Sequence, residues 1–358
     1  MAKADGLDIA WERQPLEGFE SHPIEDLAAR YDLVVIDHPH IGEAAKADCF
    51  RPLDSLFPQA FLAELERGVI GPAYRSYVYG GQALALPLDA ATQVQAARLD
   101  LLEAPLPASW AEVEALAARR PVCLSIAGPH AILSFLSICV ALGEEPAAVD
   151  PERLVSHETG IAALSLLRAV YARMTRAAIG LNPIGILDRM VKTSDIALCP
   201  LVYGYVNYAR KSEAGPSVVT FADAPTLAPG GRPGSTLGGT GIAVSRRCEP
   251  SRALVDHLAW LVSRVAQEDF VPEEAGQPCL RSAWASDKVN AAWGNFYRNT
   301  ARTLESAYVR PRYPGYIAFQ AEASAHLREA LEAGAGEAAT LDRLQALFAG
   351  SRRSGDPI

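Results

Sequence analysis

Residues 31–54, YDLVVIDHPHIGEAAKADCFRPLD, constrain the fold more than any other stretch of this chain. Leu33, Val34, Val35 and Ile36 form an apolar run too short for a helix, and it reads as a strand buried on both faces. The run stops at Asp37-His38-Pro39-His40, and small residues then carry a helix towards Leu53 and Asp54. Ligands of open α/β sheets sit outside the carboxyl ends of the strands, which makes Asp37, His38 and His40 candidate ligand contacts. Pro39 fixes its own φ and biases His38 towards an extended conformation, so this turn is stiff.

Helical patterns fall at 23–30, 58–67, 109–119, 131–142, 157–173, 251–266, 286–305, 321–333 and 338–348. Strand patterns fall at 7–11, 33–36, 81–86, 94–97, 122–126, 196–200, 218–221 and 241–244. This alternation is the mark of an α/β chain. Ser109 with Glu112 three residues on forms a capping box at the start of one helix. Residues 222–238, ADAPTLAPGGRPGSTLG, are dense in Pro and Gly and read as a crossing.

The length of 358 residues allows two lobes of ordinary domain size. A formal net charge of −9 argues against nucleic acid, which selects Lys and Arg clusters. No run approaches the ~18 apolar residues of a membrane span. The six cysteines show no metal-type spacing and, amid apolar neighbours such as VCLSI and ALCPL, read as small buried hydrophobes. Their disulfide state stays open, since six cysteines allow fifteen pairings.

Five stretches, in order, resemble the extracellular solute-binding proteins of ABC transporters, in the carbohydrate-binding, maltose-binding-protein-like branch. The first is 31–54. The second is 80–116, with Gly81-Gln82, a strand ending at Pro87, a crossing strand at 92–97, and Pro107-Ala108-Ser109-Trp110-Ala111-Glu112. The others are 193–208 with its aromatic loop, 238–262 with a return strand and helix, and 312–347 with a Tyr-rich loop before two helices. The resemblance implies a two-lobed, periplasmic-binding-protein-like fold of type II, with mixed sheets flanked by helices. It places the first lobe at 1–89 plus 235–277, the second at 90–222 plus 278–358, and a crossing at 223–234. Hinge closure on a small solute in an inter-lobe cleft follows, with an ABC importer's membrane subunits as partner and neither a cofactor nor a catalytic residue required.

The beginning of the chain departs from that pattern. Residues 1–6 hold no apolar h-region, and the first β-α unit of the family is missing before 7–11. Two explanations compete: a start downstream of the true one, which makes the protein periplasmic, or a cytoplasmic derivative that has lost the unit. Loss of a central strand orphans backbone groups at about 1–3 kcal/mol each, which favours the first.

Several residues carry candidate chemistry. His38-Pro39-His40 invites a metal reading with His22 or Cys49 as third ligand, but nothing at fixed spacing completes the set, and hydrogen bonding to a solute is preferred. Gly238-Gly239-Thr240-Gly241 lacks the Lys of a phosphate loop; Gly239 and Thr240 instead offer close backbone approach at a cleft wall. Asp89 and Thr92 flank a crossing and join the contact set. The resemblance places an aromatic stacking residue within 203–208, so Tyr203 and Tyr205 are the leading platforms, with core packing as the alternative for each. Arg310 and Arg312 alternate on a Pro-stiffened segment that ends in Tyr316. Arg312 and Tyr316 are candidate contacts for a carboxylate or a sugar, weighed against solvated arginines bridging to Asp or Glu. The solute is a sugar or a small organic acid. The alternative reading is a cytoplasmic enzyme of the same fold with His38 or His40 as acid or base; the adjacent Asp37, on the opposite face of an extended chain, is poorly placed to orient His38.

Overall fold

The computed structural model describes residues 7–13, 23–102, 105–210 and 217–355. His22 lies outside them. The chain divides into two compact units. One comprises Met1–Ala90, Gly239–Ser286 and Arg312–Ile317; the other comprises Ala91–Gly238, Asp287–Pro311 and Ala318–Ile358.

In the first unit, Leu33–Asp37 is a strand, as its apolar run requires. It pairs antiparallel with Thr240–Val244, from Leu33 opposite Val244 to Asp37 opposite Thr240. Leu86–Pro87 joins the other side of Thr240–Val244, through Ile242 and Gly241. The expectation of burial on both faces is corrected: Val34 and Ile36 are buried, whereas Leu33 and Val35 are only half covered. The buried face packs on Ile24, Leu27 and Ala28 of the Ile24–Arg30 helix and on Ile41, Ala44, Phe50 and Tyr77. The strand lies at the edge of an antiparallel sheet, so one apolar face suffices.

The Ile41–Lys46 helix packs against residue 312 so closely that a Cβ on Gly42 would sit 1.6 Å from the Arg312 carbonyl oxygen. Residues 7–11 were expected to form a strand but have no regular structure, and Trp11 is exposed. Apolar alternation without a partner strand leaves the backbone to water.

In the second unit, Ala91–Ala97 is the central strand. It pairs antiparallel with Leu198–Tyr203, Thr220–Ala222 and Leu237–Gly238. The His130–Ala141 helix runs through the core, every residue from Ala131 to Ala141 buried, and packs on His157–Tyr171. Both halves of the capping box form: the Glu112 N–H donates to Ser109 Oγ at 3.4 Å, and the Ser109 N–H donates to Glu112 Oε2 at 3.1 Å.

The strand expected at 122–126 reduces to isolated bridges at Val122, to Met174 and Leu198. The Ser125 carbonyl accepts instead from the Ser134 hydroxyl, at 2.9 Å, so a side chain replaces the ladder. The single helix expected over 286–305 breaks into Asp287–Ala292 and Phe296–Glu305, because Gly294 and Asn295 adopt left-handed φ of 58° and 61°. The Pro183–Lys192 helix was not anticipated, although Asn182 caps it, accepting from the Gly185 N–H at 2.8 Å, and Pro183 suits its first position. Cys123, Cys139, Cys199, Cys248 and Cys279 are buried and Cys49 is half-buried, in keeping with their apolar neighbours; all six are free thiols. Among the described residues no helix is long and apolar enough to cross a membrane.

Candidate functional site

The carboxyl ends of Leu33–Asp37 and Leu86–Pro87 meet the start of Thr240–Val244 at one edge of the first unit's sheet. Asp37 lies opposite Thr240 in the ladder. Asp89, two residues past the end of its strand, accepts the Thr240 N–H through Oδ1 at 2.5 Å. Gly239, at φ 105°, passes so close that a Cβ would fall 2.9 Å from both the Asp89 carbonyl and Oδ1. Burial pushes the Asp89 carboxyl up to about 6; the Thr240 hydrogen bonds oppose the rise and the nearby Asp37 charge adds to it. The Tyr77 hydroxyl closes the edge from beneath, donating to the Gly239 carbonyl at 3.2 Å.

Residues 38–40 are not extended but form one 3₁₀ turn. In that turn His38 Nδ1 lies 3.0 Å from Asp37 Oδ1, where strand alternation would set the two side chains on opposite faces, and the imidazole is fully buried. The alternation of a strand does not apply once the chain has left it. His40, also buried, lies at the start of the Ile41–Lys46 helix without a side-chain cap, its Nδ1 3.6 Å from Glu43 Oε2. That imidazole draws the Glu43 carboxyl below its usual range. Among the described residues no group of three His, Cys, Asp or Glu is placed to hold a metal ion.

The other first-unit candidates are engaged within the unit. One Arg312 nitrogen, Nη1, donates to the carbonyls of Arg75, Ser76 and Val78 at 2.7–2.9 Å. Tyr316 is fully buried, its ring edge-on to Tyr313.

In the second unit, Tyr203 ends its strand half-buried. Its hydroxyl reaches Thr236 Oγ1 at 3.2 Å, and its ring lies over Gly238, where a Cβ would fall 2.6 Å from Cε1. Thr236 belongs to a buried hydroxyl network: Gln93 Oε1 accepts from Thr236 Oγ1 at 3.0 Å and from Ser137 at 2.6 Å. Thr92 is part of that network, its hydroxyl paired with Ser235 and donating to the Thr236 carbonyl at 3.0 Å. Tyr205, half-buried, begins the turn into Val206–Ala209.

Sequence reasoning missed His130. Its ring lies 5.8 Å from that of Tyr203, at 61°. Burial and the neighbouring Arg310 charge hold its pKa down to about 4, so it is neutral at neutral pH. Arg310 is itself buried, donating through Nη1 to Gln320 Oε1 at 2.7 Å. The only sequence signal for His130 was its place after Gly128-Pro129, at the head of an apolar helix.

Against known families, residues 24–296 match the bacterial extracellular solute-binding protein family. The chain belongs to this family. No curated protein sequence matches the chain. Among solved structures, this solute-binding protein is similar to an ABC-transporter solute-binding protein from Agrobacterium radiobacter K84 in complex with ribitol. The TM-score is 0.80 at 21% identity, over 96% of this chain and 92% of that one. The GacH receptor of Streptomyces glaucescens, solved unliganded and with acarbose, gives 0.79 at 16% identity, over 98% and 92%. An Agrobacterium vitis S4 solute-binding protein with bound D-mannitol gives 0.73 at 18% identity, over 99% and 94%. The solute-binding protein described here thus has the two-lobed type II periplasmic-binding fold.

Proposed function

We propose that this solute-binding protein takes a small neutral polyhydroxylated solute, a polyol or sugar, and delivers it to the membrane subunits of an ABC importer outside the cytoplasm. Family membership supports solute capture. The observation that carries the solute class is the strand edge of the first unit, where Asp37 and Asp89 flank the Thr240 backbone. Carboxylates accept hydrogen bonds from hydroxyls and repel a second carboxylate, so this edge favours a polyol over an organic acid. Within the second unit taken by itself, the Tyr203 ring lies beside His130, an aromatic face next to a neutral imidazole that donates and accepts at once, which also suits a polyol or sugar. Ribitol, D-mannitol and acarbose, bound by three proteins of like fold, belong to the same chemical class.

Arg312 and Tyr316 are left out of this contact set because one is bonded to three carbonyls and the other is fully buried. Thr92 supports the hydroxyl network of the second unit, and His40 pairs with Glu43 in the first. His38, 3.0 Å from Asp37 yet fully buried, packs against Asp37 rather than exchanging protons with a solute. Titration calorimetry with ribitol, mannitol, maltose and a panel of dicarboxylic and aromatic acids tests the reading. Saturable one-to-one binding of a polyol or sugar supports it, and binding confined to the acids overturns it.

A further inference from the structure

We infer that Cys123 and Cys199 are a disulfide-forming pair, closed as the second unit folds. Their positions come from the backbone. Val122 bridges Leu198 in parallel, and the Cys123 N–H donates to the Leu198 carbonyl at 3.0 Å. Cys123 and Cys199 are therefore the next residues along two adjacent extended segments. Neighbouring strands run about 4.8 Å apart, within the roughly 4.4–6.8 Å Cα separation that a disulfide spans. The two thiols lie near enough to interact electrostatically, while the Cys199 thiol donates to the Leu201 carbonyl at 3.5 Å. Of the fifteen pairings six cysteines allow, this one falls on neighbouring extended segments. The family works outside the cytoplasm, where paired thiols meet oxidants.

The route must precede final packing. Both cysteines are fully buried, and burial, with the Cys199 thiol beside it, holds the Cys123 thiol in its protonated, unreactive form. During folding, one thiolate attacks an external disulfide, forming a mixed disulfide and expelling one external thiolate. The second cysteine thiolate then displaces the other external thiol. Two cysteine thiols are oxidised, one external disulfide is reduced to two thiols, and the two protons end on those thiols.

The test uses the full chain. It is unfolded and reduced, then refolded in a mixture of reduced and oxidised glutathione, and read by intact mass and peptide mapping without reduction. The expected result is a loss of two hydrogens, with a single bridged peptide joining residues 123 and 199. Folded, reduced protein held in the same buffer should keep its free thiols over the same time. Cys139→Ala and Cys279→Ala should retain the bridge; Cys123→Ala and Cys199→Ala should lose it. If the last two do not fold, the map of the wild type and of Cys139→Ala decides alone. A refolded chain with six free thiols, or with its bridge at any other pair, overturns the inference. Bridging of the folded protein as fast as of the refolding one overturns the route.

Discussion

Asp89 accepts the backbone N–H of Thr240 while a second carboxylate, that of Asp37, stands opposite Thr240 in the same ladder. The hydrogen bond favours the charged form of Asp89, but desolvation outweighs it and the carboxyl rises from 3.8 to about 6. The folded chain holds this proton up to about pH 6, whereas the unfolded chain releases it near 3.8. Between those values the folded state binds more protons, so the contribution of Asp89 to stability falls as pH rises, reaching an unfavourable plateau above pH 6.

Asp89→Asn should therefore stabilise the protein at pH 7.5, by up to about 3 kcal/mol and less to the extent that water reaches the carboxyl. It should also flatten the decline in stability between pH 4 and 6. The Asn Oδ1 can still accept from Thr240, so the backbone geometry survives. Urea unfolding across that pH range checks the slope. An unchanged profile would refute the assignment of this titration to Asp89.

Tyr203→Ala should weaken solute binding by about 1–3 kcal/mol, and Tyr203→Phe by much less, if the ring face is what the solute meets. Gly238→Ala should mimic part of the loss without touching Tyr203, because its Cβ would press on the ring at 2.6 Å and tilt it. Calorimetry on the three variants, beside thermal melts, separates the ring from its hydroxyl. Equal losses in Tyr203→Phe and Tyr203→Ala would assign the effect to the Thr236 hydrogen bond instead.

His38→Ala should cost about 3 kcal/mol of stability, since it opens a cavity and leaves Asp37 without its buried partner. Denaturant unfolding at neutral pH measures it. A loss of under ~0.5 kcal/mol would mean that the imidazole contributes nothing to this edge.

Gly42→Ala should be more damaging than its size suggests, at about 3 kcal/mol or more. The added methyl would overlap the Arg312 carbonyl, a rigid backbone atom. A melting temperature matching the wild type would show that the two segments are free to separate.

Local chemistry was legible where it needed no partner. The 33–36 run, the Ser109–Glu112 capping box and the apolar 131–142 helix all announce themselves in short windows. The failures lie where a distant group decides. Residues 7–11 alternate like a strand but have no partner, and 122–126 lose their ladder to the Ser134 hydroxyl. The break at Gly294-Asn295 rests on left-handed backbone that apolar periodicity does not encode. Of the site, Asp37, Asp89 and Thr240 were readable as residues but not as one hydrogen-bonded edge. The Asp37–His38 pair was hidden because the strand period was carried one residue too far. His130 carried no motif at all, and only the fold sets it beside Tyr203.

The central claim, capture of a neutral polyhydroxylated solute, is tested most directly by calorimetric titration of the full chain with polyols, sugars and organic acids, followed by mass spectrometry of the recovered solute. The account predicts one-to-one binding of a polyol or sugar at micromolar Kd or tighter, weaker binding in Asp89→Ala and Tyr203→Ala, and recovery of the solute chemically unchanged. Binding of acids alone, or a solute recovered in altered form, would contradict it.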